Sequence, residues 1–297
     1  MGYHPKSRRE LLKNFGKVAL ASSLPTTSIL ASDTSSIIKT GNKINHSVCS
    51  WTYNFLSLNE LCSVSKNLGI RAIDLVAPKD FSILQEHNIE CSMCYTAGKV
   101  SLTQGWNDPQ QHEWLLKDYK EAIPMVANAG YKNLICFSGN RNSMSEETGL
   151  RNCVEGLKQI IPLAEKHGVI IQMELFNSKV DHKDYMADRS AWGIELCKRL
   201  GSPNFKLLFD IYHMQISEGD IIRSIQENHT YFGHYHTAGV PGRHEIDDSQ
   251  ELFYPAIMHA IAATGYTGFV AQEFIPTGKT NKDKIDALKK AIKICDI

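Results

Sequence analysis

No apolar run in the 297-residue sequence approaches the roughly 20 residues needed to cross a bilayer. A membrane-spanning protein is not expected. Nor is there an excess of either charge: Lys plus Arg and Asp plus Glu both total 32. Without a basic surplus, neutralising a polyphosphate backbone is poorly served, so nucleic acid is an improbable main ligand. Gly-rich phosphate loops of the GxGxxG or GxxxxGK[ST] type are absent after the first strand-like segment, which removes the usual sign of a nucleotide-binding sheet. Cysteine is not scarce, but it is scattered: Cys49, Cys62, Cys91, Cys94, Cys136, Cys153, Cys197 and Cys295 follow no framework spacing. Most lie in apolar segments, where cysteine acts as a small hydrophobe. Cys91 and Cys94 form a CxxC inside a strand-like run. Alternation would send them to opposite faces, so joint chelation is not expected.

The N-terminus differs from the rest. Ser7-Arg8-Arg9-Glu10-Leu11-Leu12-Lys13 precedes a modest apolar stretch around Val18–Leu24, and small residues surround Ala31. A basic start, a short apolar segment and a small-residue cleavage region read as an export signal of the twin-arginine type over residues 1–31. Residues 32–42 then form a linker, and the mature protein is expected outside the cytoplasm, in the periplasm.

From residue 43 one pattern recurs: a helical stretch ends in Gly, then a short β-rich run follows. Gly69, Gly130, Gly168, Gly201 and Gly265 mark these joints, as expected of the left-handed residue past a helix end. Strands are read over 44–51, 89–95 and 231–238 as well, and a helix over 108–129 from the spacing of Trp114, Leu115, Tyr119, Ala122, Ile123 and Val126. Eight near-continuously apolar strands alternating with helices imply a parallel sheet covered by helices. A doubly wound open sheet fits the alternation too. The missing phosphate loop favours the closed (β/α)8 TIM barrel, one α/β domain over 43–297.

Four consecutive strands end in an ionisable residue within apolar surroundings: Glu174, Asp210, His236 and Glu273, at separations of 36, 26 and 37 residues. Each separation is about one βα repeat, so the side chains should converge at the C-terminal mouth, where barrel enzymes carry their sites. Three converging carboxylates raise one another's pKa and resist burial unless a cation compensates. Three oxygens and one imidazole suit one divalent ion, Mn²⁺, Mg²⁺ or Co²⁺, better than copper or zinc. Trp51, ending the first strand, offers a face for a sugar ring, and Asn177 and Lys179 are weaker candidates. His234 shares the face of His236 but lies deeper, as a packed layer residue.

These segments resemble the xylose isomerase-like barrels, within them the hydroxypyruvate isomerase and ketose 3-epimerase branch. The resemblance rests on Phe209-Asp210-Ile211-Tyr212-His213-Met214-Gln215, Gly233-His234-Tyr235-His236, Pro241-Gly242-Arg243-His244-Glu245-Ile246, Gln272-Glu273 and the Asn45–Trp51 strand. It implies that Glu174, Asp210, His236 and Glu273 are metal ligands, that Glu174 and Glu273 are the acid/base pair, and that His213 and Arg243 contact substrate. His236 stands where close hydroxypyruvate isomerases tend to carry Gln, which counts against that substrate. The expected activity is metal-dependent isomerisation or epimerisation of a small carbohydrate or hydroxy-keto compound through an enediolate. The alternatives are a metal-dependent dehydratase or lyase on a keto-sugar or inosose, and a non-catalytic sugar-binding barrel. A multi-metal DNA endonuclease of the same superfamily is disfavoured, because the second and third strands carry Asp74 but no His. The expected partner is a small molecule, with homo-oligomerisation left open.

Overall fold

A computed structural model describes residues 44–297; the export-signal and linker segments lie outside them. Eight short strands follow in chain order: β1 Asn45–Cys49, β2 Ala72–Val76, β3 Glu90–Cys94, β4 Asn133–Cys136, β5 Ile170–Glu174, β6 Phe205–Asp210, β7 Phe232–Thr237 and β8 Phe269–Gln272. Every neighbouring pair is parallel, and β1 pairs with β8 through Asn45↔Phe269 to Val48↔Gln272. The sheet is therefore a closed barrel, and the open-sheet alternative is excluded.

Helices α1 Leu58–Asn67, α2 Phe81–Glu86, α3 His112–Asn128, α4 Glu146–Leu157, α5 Ile161–His167, α6 Ser190–Leu200, α7 Ile211–Ser217, α8 Ile221–Asn228, α9 Tyr254–Ala263 and α10 Asn281–Cys295 alternate with the strands. Their limits have local causes. Ser57 and Glu60 form a reciprocal capping box that starts α1, as Thr280 and Asp283 do for α10. Gly168 and Gly201 end α5 and α6 with φ of 67° and 65°, a conformation that costs glycine little. The expected helix over 108–129 begins later, at His112, after a short 3₁₀ turn at Pro109–Gln111. No helix among the described residues is long and apolar enough to cross a membrane.

The β2–β3 register slips on both sides of Asp74. Cys91 and Cys94 are both buried, and the Cys91 thiol donates to the Met93 carbonyl at 3.2 Å. All eight cysteines are buried as free thiols.

Candidate active site and metal centre

Each of the four candidate ligands read from the sequence leaves the barrel at the same height. Glu174 ends β5, Asp210 ends β6, His236 is the penultimate residue of β7, and Glu273 follows β8 directly. One donor atom from each lies within 4.8 Å of the other three, and all four side chains are buried. Their convergence follows from parallel strands in register: Asp210 pairs with His236, and His236 with Ala271.

His236 lies at the centre. Its Nδ1 is 2.7 Å from Glu273 Oε2 and 3.2 Å from Glu174 Oε1. Its Nε2 is 3.2 Å from Asp74 Oδ2, on the opposite side of the barrel interior. Asp74 also receives His234 Nε2 at 2.5 Å and the Ser92 hydroxyl. A metal-binding imidazole is commonly held through its other nitrogen by a carboxylate, and Asp74 stands in that position. Sequence reasoning placed His234 in a deeper layer, where the structure finds it, but missed Asp74 as the group joining the two histidines.

Arg243 reaches in from the loop after β7. Its guanidinium contacts Glu273 Oε2, Asp210 Oδ2 (2.9 Å) and His213 Nε2. It also lies 5.7 Å above the Trp51 ring and 5.1 Å from that of Tyr212. His213 comes inward because the chain turns into α7 immediately after Asp210, whose carboxylate caps the helix by accepting from the His213 backbone N–H at 3.1 Å. Asn177 lies against His213 Nδ1 at 2.7 Å and donates to Asp181. Lys179 turns away to the Ser217 carbonyl. Trp51 sits in a 3₁₀ turn after β1, where its indole N–H donates to Glu273 Oε1 at 2.7 Å.

These contacts divide the carboxylates. Burial raises Glu174 to about 7, with Glu273 and Asp210 adding to the rise against the pull of His236. Burial likewise raises Asp210 to about 6, although Arg243 opposes it. Burial would also raise Glu273, but His236, Arg243 and the hydrogen bond from Trp51 hold it well below the usual carboxylate range. For His236, burial is outweighed by Glu273 and Asp74, so its value is raised. His213 is pushed well down by burial and then by Arg243, and is neutral.

Glu174 and Glu273 line a cavity of about 290 Å³, large enough for a small sugar. Glu174, Glu273, Arg243 and Asp181 form its polar side. Leu75, Tyr95, Leu102, Phe137 and Phe176 form an apolar wall. Leu75 holds a φ of 64°, which a bulky side chain rarely adopts, and its carbonyl accepts from the Ser50 hydroxyl.

Three oxygen donors and one imidazole at mutual ligand distances fit a hard or borderline divalent cation. Residues 81–293 match the model of the xylose isomerase-like TIM barrels. The chain belongs to that family. Among curated xylose isomerase-like relatives, a 2-oxo-tetronate isomerase from Cupriavidus necator is 35% identical over 128 residues, which cover 43% of this chain and 48% of that protein. The match thus spans about half of that relative's length. Among solved structures of this fold, D-psicose 3-epimerase with D-tagatose from Clostridium cellulolyticum H10 superposes with a TM-score of 0.72 at 16% identity, over 85% of this chain and 98% of that one. An IolI protein with a binding zinc atom gives a TM-score of 0.67 at 16% identity, again over 85% and 98%. At these identities the structural likeness is one of fold.

Proposed function

We propose that this family member is a divalent-metal-dependent isomerase or epimerase of a small sugar or hydroxy-keto compound. The observation that carries the reading is that Glu174 and Glu273 both line one cavity and both belong to the buried four-residue donor cluster. Glu273, which Trp51 and Arg243 also contact, takes the proton from the carbon beside the carbonyl. Glu174 relays a proton from solvent back to the intermediate. Delivery to the opposite face of the planar enediolate gives an epimer, and transfer between neighbouring carbons gives an isomer.

Glu174, Asp210, His236 and Glu273 would hold the ion, and Mn²⁺, Mg²⁺ and Co²⁺ suit the donor set. When bound, such an ion supplies Lewis-acid stabilisation of the enediolate oxygens, worth several kcal/mol. Arg243 and His213 orient substrate oxygens, and the apolar wall keeps bulk water from the carbanionic centre. The name of a relative in sequence, 2-oxo-tetronate isomerase, supports the reaction class. The export signal read over residues 1–31 supports action outside the cytoplasm, which N-terminal sequencing of periplasmic protein tests.

The decisive experiment incubates purified protein with Mn²⁺ and a panel of ketoses and keto acids in D₂O. Deuterium should appear beside the carbonyl, and Glu273→Gln should abolish it. Binding without exchange across the whole panel would favour a non-catalytic sugar-binding barrel instead.

A further inference from the structure

A second set of donors lies beneath the carboxylate cluster. Cys49 at the end of β1, Asp74 in β2 and His236 in β7 place a thiol sulfur, a carboxylate oxygen and an imidazole nitrogen within 4.8 Å of one another. All three side chains are fully enclosed. His236 Nε2 is 3.9 Å from Cys49 Sγ and 3.2 Å from Asp74 Oδ2. A tetrahedral zinc ion, with bonds of about 2.3 Å to sulfur and about 2.0–2.1 Å to nitrogen or oxygen, spaces its ligands roughly 3.3–3.6 Å apart. The two distances from His236 Nε2 lie within a few tenths of an ångström of that spacing, and the third pair of donors lies within 4.8 Å.

We propose that Cys49, Asp74 and His236 form a second cation site, selective for a thiophilic divalent ion such as Zn²⁺, and that filling it displaces the ion from the carboxylate site above. Selectivity follows from the donors. A thiolate favours zinc-like ions over Mn²⁺ and Mg²⁺, whereas the three carboxylates above suit the harder ions. Asp74 is well placed to stay ionised, since Ser92 and His234 also donate to it.

Displacement follows from the ring that the two sites share. A neutral imidazole has one lone pair. The upper site needs it on Nδ1, with Nε2–H donating to Asp74. The lower site needs it on Nε2, with the proton on Nδ1 facing Glu273 and Glu174 at 2.7 and 3.2 Å. A ring that keeps its one N–H proton cannot supply both. On binding, the ion gains bonds to sulfur, nitrogen and oxygen, the Cys49 thiol proton leaves to solvent, and one proton moves from Nε2 to Nδ1. No electron is transferred. The displacement rests on the proposed role of the upper site; the lower site stands on its own donors.

The test uses the full metal-free protein titrated with Cd²⁺, a spectroscopic stand-in for Zn²⁺. One equivalent should produce an ultraviolet thiolate-to-cadmium charge-transfer band. Cys49→Ser, checked for native circular dichroism, should lack the band, and Cys94→Ser should keep it. If Cys49→Ser misfolds, Cys49→Ala takes its place. In Mn²⁺-loaded protein, the manganese electron paramagnetic resonance spectrum should change to that of free Mn²⁺ as the band grows. The Zn²⁺ concentration that halves activity should rise in Cys49→Ser by more than the roughly 10- to 100-fold that loss of an outer-sphere partner costs. No band in wild type, or a band surviving in Cys49→Ser, overturns the site. A full band beside protein-bound Mn²⁺ overturns the displacement. Absence of activity on every substrate would instead sink the isomerase reading, leaving the band to decide the lower site.

Discussion

The Trp51 indole N–H donates to Glu273 across the seam where β1 closes against β8, at 2.7 Å. The sequence suggested this tryptophan as a stacking platform. The structure adds a hydrogen bond to the carboxylate proposed as the base. Trp51→Phe keeps an aromatic face and removes the donor. A hydrogen bond to a charged group at this 40% exposed position is worth about 1–2 kcal/mol. The variant should therefore lose about 5- to 30-fold in kcat/KM, mainly in kcat, in steady-state assays on the best ketose of the panel. An unchanged kcat would show that the bond does not set the base.

Arg243 bridges Asp210 and Glu273 and is almost enclosed. Arg243→Met removes the only guanidinium contact among the described residues to those two carboxylates, leaving like charges together. Losing one partner of a buried ion pair costs about 3–5 kcal/mol. Urea unfolding in a chelator should show a loss of that order, and added Mn²⁺ should recover part of it. Equal losses with and without Mn²⁺ would contradict a cation-binding role for the cluster.

Asp74 accepts from both barrel histidines. Asp74→Asn keeps the shape but weakens the grip on His236. Mn²⁺ affinity by calorimetry should fall about 10- to 100-fold, as it does when other carboxylate–histidine supports are removed. Unaltered affinity would mean that packing alone orients the ring.

His46 is buried, and neither of its ring nitrogens meets a hydrogen-bond partner among the described residues. Burial lowers it from 6.5 to about 4. The fold thus prefers the neutral ring. This contribution is complete above about pH 6.5, declines as pH falls from there through about 4, and changes no further below that. The swing is about 3 kcal/mol at 1.36 kcal/mol per unit. Urea midpoints across that range should slope less in His46→Leu than in wild type. Parallel slopes would place the ring in contact with water.

The four converging residues were legible because a strand end recurs once per repeat, and Glu174, Asp210, His236 and Glu273 keep that interval. His213 was legible in part, since an Asp three residues ahead of it is a helix-starting signal. Asp74 was not. Its partners Ser92, His234 and His236 lie 18, 160 and 162 residues along the chain, and β2 meets β7 only across the interior of the closed barrel. No local spacing encodes such a contact. The register shifts between β2 and β3 were hidden for another reason: they break the alternation on which strand reading depends. Lys179 looked eligible by position alone, but its backbone partner at Ser217 removes it from the cavity.

The proposed ligands come from β5 to β8, whereas most of the apolar wall of the cavity comes from the chain at or just after β2 to β4: Leu75, Tyr95, Leu102 and Phe137. The barrel is in this sense two half-shells with separate duties. Drift at these four wall positions can retune which carbon skeleton fits while Trp51 and Asp74 keep their holds on Glu273 and His236. A lineage built this way can change its diet while keeping its chemistry, and libraries confined to those four wall positions are the economical route to a new substrate.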